Sequence, residues 1–427
     1  MIDSNNINSL PLGEMSNGQR GLLIIGFVWP EPKSSAAGSR MLQLIEMFQS
    51  DNYHVTFASP CAKSDNAFNL ESIGVKQIHI VLNNSSFDEF VKELNPNVVL
   101  FDRFMMEEQF GWRVAENCPN ALRLIDTEDL HGLRKGRYQA FKDNMPFDKG
   151  YLLNDTFKRE LASIYRSDLS IIISEYEMQL LTSDLKVNSS LLAYVPFMQD
   201  KLTELTIETL PEFEERQHFI TIGNFLHAPN YQSVLYLKET IWPKIRKQLP
   251  KAELHIYGAY ASQKVTQLHN EKDGFLIKGF AEQVKDVMQK ARVCLAPLQF
   301  GAGLKGKLID AMESGTPCIM SNIAGEGMFG DFDANGFIID DPEEFANQAV
   351  SLYTNDLIWK EKQENGFKTF NGRFNKETIQ LEVITHINAT ITNLKHHRQQ
   401  NVIGQMLMHQ TLQSTKYMSK WIEEKNK

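Results

Sequence analysis

The sequence predicts an α/β protein made of two Rossmann-like doubly wound domains facing a cleft, followed by a C-terminal helical tail. Three observations carry this. Short apolar runs rich in β-branched residues alternate with helix-period segments, twice over. An acidic stretch with a proline, QDKLTELTIETLPEFEERQ at 199–217, separates the two series. After about residue 356 the strand signals fade and amphipathic helix takes over.

The start, MIDSNNINSLPLGEMSNGQRG, is polar and predicts a flexible N-terminus over 1–20. It lacks the basic region and apolar core of a secretory signal. GLLIIGFVW (21–29) reads as a buried strand, and SSAAGSRMLQLIEMF as a helix with Met41, Ile45 and Phe48 on one face. The strands YHVTFAS, KQIHIVL, NVVLFDR, ALRLIDT, LSIIISE and LLAYVPF complete a first domain over 21–198, and 199–217 is the linker. FITIGNF (219–225) opens a second domain over 218–390, with a long helix from about Tyr231 to Leu249. AELHIYG, FLIKGF, RVCLAPL, TPCIMSN and GFIIDD are its further strands, and PEEFANQAVSLY is a helix with Pro342 in its first turn. Residues 391–427 form the helical tail. Paired domains of this kind bind ligands at the carboxyl ends of their strands.

The chain has 427 residues and a net charge of −9, which argues against nucleic-acid binding by the whole surface. Cys61, Cys118, Cys294 and Cys318 are far apart with no C-x-x-C pair. Neither a disulfide framework nor a structural zinc site is expected, and a reducing cytoplasm fits. No run approaches ~18 apolar residues, so no membrane span is expected. Peripheral membrane association stays open.

The stretch GAGLKGKL at 301–308 carries the chemistry. As a P-loop it fails at Leu308, which has no oxygen to ligate Mg²⁺. As a dinucleotide fingerprint it follows the wrong strand, and Glu326 lies in a turn-like AGEG rather than at the end of a strand. As a metal-free anion site it uses what is present. Gly301, Gly303 and Gly306 let the backbone approach an anion, a helix begins near Lys305, and Lys305 and Lys307 add two charges. Asp310, further along, suits the hydroxyls of a ribose. The residues alone leave a glycine-rich turn before a solvated helix as an equal reading.

The wider segment FGAGLKGKLIDAMESGTPCIMSNIAGEGM (300–328) resembles the donor-binding segment of GT-B glycosyltransferases, especially family-4-like (group 1) enzymes. FITIGNFLHAPN, FLIKGFAEQVKDVMQKARVCLAPL and NGFIIDDPEEFANQAVSLY resemble further pieces of the same family in the same order. The resemblance is strong over about 219–355 and weaker before it. It implies a GT-B fold and transfer of a sugar from a nucleotide diphosphate donor to a carbohydrate, lipid-linked or small-molecule acceptor. It also implies retention of anomeric configuration, with no nucleic acid as partner. The nucleotide sugar is a co-substrate, and no cofactor or metal is expected.

The resemblance also assigns residues. Asp310 matches the second acid of the family pattern E-x7-E and would bind the ribose. Ala302 stands where the first acid belongs and cannot replace it. Lys305 and Lys307 match a variant with two basic residues in the turn, and would stabilise the leaving diphosphate. Gly301 and Gly303 would line the diphosphate. Glu326 with Gly327 would take over a sugar contact. Phe280 matches the place that holds the base, with core packing as the alternative. Gly223 and Asn224 begin a loop near the phosphates, Asn224 being equally readable as a turn residue. Gly38 matches a glycine turn near the donor phosphate or acceptor, and Ser34 or Ser35 suits an N-cap. In DTEDLHGLR (126–134), His131 resembles a histidine that contacts the donor sugar, and Asp126 and Arg134 would orient it or bind acceptor. The DFD at 331–333 reads as a turn, not a metal site. The alternatives are a nucleotide-sugar epimerase, a phosphorylase, a non-catalytic nucleotide-sugar-binding subunit and an NAD enzyme.

Overall fold

The computed structural model describes residues 20–426. The expectation for 1–20 lies outside the described residues, except that Arg20 opens the first strand. The first sheet holds β1 (Arg20–Ile25), β2 (Tyr53–Ser59), β3 (Lys76–His79), β4 (Val98–Asp102), β5 (Leu122–Asp126), β6 (Leu169–Ile172) and β7 (Leu192–Tyr194). All pairings are parallel, in the order β3-β2-β1-β4-β5-β6-β7. The second sheet holds β8 (Gln217–Ile222), β9 (Leu254–Tyr257), β10 (Phe275–Gly279), β11 (Ala291–Ala296), β12 (Cys318–Met320) and β13 (Gly336–Ile338). It too is parallel, in the order β10-β9-β8-β11-β12-β13.

Every strand expected from the sequence is present. A parallel sheet is covered by helices on both faces, so its strands read as continuous apolar runs. Met41, Ile45 and Phe48 of the helix Ala36–Ser50 are buried against Leu22, Ile24 and Leu100 of the first sheet. In each sheet the strand order reverses beside its opening strand, between β1 and β4 and between β8 and β11. Loops diverge there and leave a crevice at the carboxyl ends.

Three details differ from expectation. The helix expected over about 231–249 starts at Ala228 and contains a π turn, Leu237–Ile241, before resuming as Trp242–Gln248. Pro243 explains the interruption: it lacks an N–H and its ring crowds the carbonyl one turn back. The linker, read from the sequence only as a boundary, is packed. Leu202, Leu210 and Phe213 are buried, and buried Arg216 donates to the Thr316 hydroxyl at 2.8 Å and the Ser314 carbonyl at 2.9 Å. Finally, residues 376–390, assigned to the second domain from the sequence, belong to the first. Gln199 bridges to Asn375, where the chain crosses back. The helix Lys376–Thr392 then buries Ile379, Val383 and Ile387 in the first core. Its four-residue spacing predicts an apolar stripe but not which core receives it.

The tail helix Val402–Lys425 packs on the first domain, against the helices Phe104–Asn117 and Asp155–Arg166. Arg113 donates to the Ser419 hydroxyl at 2.9 Å across that contact. Among the described residues, no helix is long and apolar enough to cross a membrane.

Candidate functional site

The loops after β1, β4, β5, β8 and β11 enclose a cleft of about 760 Å³ between the domains. On the first-domain side, Ser35 caps the helix Ala36–Ser50 by accepting the Gly38 N–H at 3.0 Å. A Cβ on Gly38 would lie 2.4 Å from the Glu31 backbone. Glycine therefore lets the loop after β1 fold back over the helix and reach the cleft. There the Glu31 carboxylate accepts from Ser34, from Ser64 and, at 2.7 Å, from the Tyr260 hydroxyl of the second domain.

His131 begins the helix His131–Lys142 and lines the cleft. Glu160 accepts its backbone N–H at 2.9 Å and that of Gly132 at 3.0 Å, which satisfies two orphan donors of the helix. Burial pushes the imidazole down to about 4, against the pull of the Asp129 charge. His131 is thus a neutral hydrogen-bonding group near pH 7. Asp129 sits 3.4 Å from its Nε2 and also pairs with Arg134 at 2.5 Å. The carboxylate beside the ring is therefore Asp129 rather than Asp126. Asp126 points into the first domain, is fully buried, and pairs with Arg40 at 3.3 Å. Arg134 lines the cleft as expected.

On the second-domain side, Gly223 follows β8, and a Cβ there would strike the Asn230 side chain at 2.6 Å. The Asn230 Oδ1 accepts from Lys307 at 3.1 Å. Asn224 is the turn residue and also lines the cleft. Its Oδ1 accepts the Leu226 N–H at 2.8 Å in a turn, and its Nδ2 reaches the Ser34 carbonyl of the first domain at 3.2 Å. Phe280 is 40% exposed and lines the cleft, so it does not serve core packing.

The glycine-rich loop ends at Lys305, which precedes the helix Gly306–Glu313. The cleft is lined by Gly301, Gly303, Lys305, Gly306, Lys307 and Asp310. Burial lowers Lys305 to about 8 and Lys307 to about 8, and raises Asp310 to about 7 with help from Glu313. The Lys305 Nζ donates to the Gly303 carbonyl at 2.6 Å. Gly303 has φ +64°, and a Cβ on it would lie 2.8 Å from Asp129 Cβ. Its N–H is not open to an anion, as the sequence suggested. It donates to Glu177 of the first domain at 2.9 Å. The Gly301 carbonyl is likewise taken by Arg137 at 2.9 Å.

Glu326 and Gly327 do not line the cleft. The short helix Asn322–Gly325 directs Glu326 onto Arg137, with contacts of 2.8 and 2.7 Å. Gly327 adopts φ +73° beneath Ser174, and its carbonyl accepts from Arg373 at 3.2 Å. Asp331 and Asp333 are exposed and away from the cleft. Among the described residues, no group of three or more His, Cys, Asp or Glu is placed to hold a metal ion.

Sequence reasoning missed Arg137, Glu177 and Asn230, as well as His227, which also lines the cleft. The first two lie in HGLRKGRYQAFK and EYEMQ, which read as solvated helices. It also passed over Arg103 and Glu128, which stand at the ends of β4 and β5 and line the cleft. DTEDLH did mark the second place as unusually rich in carboxylates.

Residues 216–355 match the family described as Glycosyl transferases group 1. This is nearly the segment in which the sequence resembles that family. No curated protein matches the chain. Sucrose-phosphate synthase from Thermosynechococcus elongatus is similar at TM-score 0.65 and 16% identity, over 88% of this chain and 100% of that one. Anabaena HepE in complex with UDP and glucose is similar at TM-score 0.63 and 12% identity, over 86% of this chain and 99% of that one. S. aureus TarM in complex with Fondaparinux, alpha-GlcNAc-glycerol and UDP is similar at TM-score 0.55 and 14% identity, over 70% of this chain. This chain spans only 58% of that TarM chain. Likeness at such identities establishes the fold, which is GT-B.

Proposed function

We propose that this protein transfers a sugar from a nucleoside diphosphate sugar to an acceptor hydroxyl, with retention of anomeric configuration and without a metal. One observation carries the reading: Lys305, Lys307 and Asp310 lie together at the start of one helix, at the switch point of the second sheet, facing the cleft. Two ammonium groups suit a diphosphate, and a carboxyl one turn further suits a ribose. The cations now rest on neutral acceptors, Lys305 on the Gly303 carbonyl and Lys307 on the Asn230 amide. Phosphate oxygens are stronger acceptors and would displace both.

As the bond from the anomeric carbon to the diphosphate breaks, charge builds on the leaving oxygen, and fixed cations there lower the barrier. The acceptor oxygen bonds to the anomeric carbon on the face the diphosphate leaves, and its proton passes to the departing diphosphate. No protein base is then required. Neutral His131 would hydrogen-bond a hydroxyl of the donor sugar. HepE and TarM are both described with UDP, so uridine diphosphate is the donor nucleotide to try first.

Thermal stabilisation by UDP, GDP, ADP and their sugar conjugates, with and without EDTA, tests this for the wild type and for Lys305→Ala/Lys307→Ala. A ligand at 100 times its Kd adds about 2.7 kcal/mol. The expected result is a shift by one nucleotide that EDTA leaves intact and the double variant loses. A shift only with NAD or ATP–Mg²⁺ would overturn the reading. Analysis of the product's anomeric configuration tests retention separately.

A further inference from the structure

Three non-glycine residues that line the cleft, Arg103, Glu128 and Tyr260, share an uncommon backbone, and the first two stand side by side on the first domain. Arg103 follows β4 with φ 69°, and Glu128 lies just past β5 with φ 62°. The strands are neighbours, with Asp102 opposite Asp126. Neither residue is a glycine, and holding each in the left-handed region costs on the order of 1 kcal/mol or more. Strain of this kind clusters at ligand sites.

Both side chains face the cleft with bonding capacity to spare. Glu128 lines it, and its carboxyl, among the described residues, has no hydrogen bond or ion pair within bonding distance. Arg103 lies deep in the wall with 15% of its side chain exposed, and its one carboxylate contact is Asp102 at 3.5 Å. A guanidinium carries five N–H donors, so most of them are uncommitted. Arg103 also lies over the Phe27 ring at 5.5 Å, and that ring is 36% exposed at the cleft. Asp102 adds a fully buried Oδ1 without a partner. This cluster stands on the first domain, across from Lys305 and Lys307.

We infer that Glu128 and Arg103 hold the acceptor, and that the acceptor presents a pair of neighbouring hydroxyls, as a carbohydrate does. One hydroxyl hydrogen-bonds the Glu128 carboxyl. The other accepts from the Arg103 guanidinium. The Phe27 ring lies against the sugar's apolar face. A phosphate headgroup is disfavoured, because the charges of Asp102 and Glu128 already act on the Arg103 guanidinium. Burial and then the Asp126 charge push the Glu128 carboxyl well above the usual carboxylate range, so it can give as well as take a hydrogen bond. The inference rests on the transferase reading and supplies its acceptor.

The test uses the full chain, UDP-glucose and other UDP-sugars, and a panel of methyl glycosides with their monodeoxy analogues. Glu128→Ala should lower kcat/KM for the glycoside on the order of 10- to 100-fold, the usual loss when a hydrogen-bonding group is removed and its partner is left unmatched. UDP affinity should stay within about twofold, since the donor side is untouched. The deoxy analogue lacking the recognised hydroxyl should lose a similar factor with the wild type and little more with the variant. Glu128→Gly separates folding from function: it relieves the left-handed strain, so Tm should hold or rise while transfer falls. Unchanged transfer in both variants overturns the proposal, as does a parallel loss of UDP binding. A wild type that binds UDP and hydrolyses the donor but glycosylates no glycoside overturns the acceptor assignment alone. A wild type that binds no nucleoside diphosphate overturns the transferase reading as well.

Discussion

Arg137 of the first domain grips Glu326 of the second through two hydrogen bonds, at 2.8 and 2.7 Å. The same guanidinium takes the Gly301 carbonyl at 2.9 Å, so one side chain ties the glycine-rich loop to the opposite wall of the cleft. Glu177 does the same from its side, accepting the N–H groups of Leu130 at 3.0 Å and Gly303 at 2.9 Å. The loop that would meet the diphosphate is therefore fixed by residues of the other domain.

The Arg137–Glu326 pair predicts a distinctive stability pattern. Both side chains are largely out of water, at 7% and 16% exposure. Glu326→Ala leaves a buried guanidinium without its partner and should destabilise by about 3 kcal/mol in urea unfolding. Arg137→Met/Glu326→Met removes both charges and should recover most of that loss. Equal loss in the single and the double variant would show that packing, not pairing, holds the contact.

The glycines of the loop should differ sharply. Gly303→Ala forces a side chain into φ +64° and against Asp129 at 2.8 Å. The cost should be about 1–3 kcal/mol in stability, with donor turnover falling alongside. An added Cβ on Gly301 meets nothing nearer than 3.6 Å. Gly301→Ala should stay within about 0.5 kcal/mol of the wild type in thermal unfolding. If both alanines are equally harmful, the loop is not in this conformation in solution.

How far the sequence foretold this arrangement follows from what each element rests on. β1 and β8 were legible because parallel strands are apolar on both faces, whatever surrounds them. Lys305 and Lys307 were legible because loop glycines and adjacent cations are local features. Arg137 and Glu177 were not. Their helices carry ordinary polar patterns, and these two residues are buried only because the second domain's loop descends on them. Glu326 was misread for the same reason: its partner lies 189 positions earlier in the chain. The stripe of Ile379, Val383 and Ile387 was not singled out, and the segment that carries it was assigned to the second domain although it packs in the first core.

The leaving-group role of the lysines predicts a kinetic signature. Lys305→Ala or Lys307→Ala should lower kcat/KM for the nucleotide sugar about 10²- to 10³-fold, the usual loss when one fixed charge facing a developing anion is removed. Lys307→Arg keeps the charge and should be milder. Equal kcat/KM in the wild type and both alanine variants would remove the lysines from the chemistry.

The same lysines link activity and stability to pH in opposite senses. Burial lowers each to about 8, from an ordinary 10.5. Below pH 8 both are mostly charged and competent to hold a diphosphate, so kcat/KM should fall as pH rises through about 8. Stability should move the other way. Between about pH 8 and 9.5 the unfolded chain still holds those two protons while the folded chain has released them, so it binds more protons and the free energy of unfolding rises with pH. The carboxyls raised to about 7 and 8 oppose this only weakly: Glu177 and Asp310, both at about 7, have largely titrated by pH 8, and Glu160, at about 8, finishes titrating within the window. Urea melts at pH 8.0 and 9.5 should therefore show the more alkaline protein as the more stable one, while UDP-sugar turnover declines over the same interval. In Lys305→Met/Lys307→Met the alkaline gain should vanish. If it persists there, other groups set the alkaline response, and the two lysines are not the buried, proton-shedding pair the cleft describes.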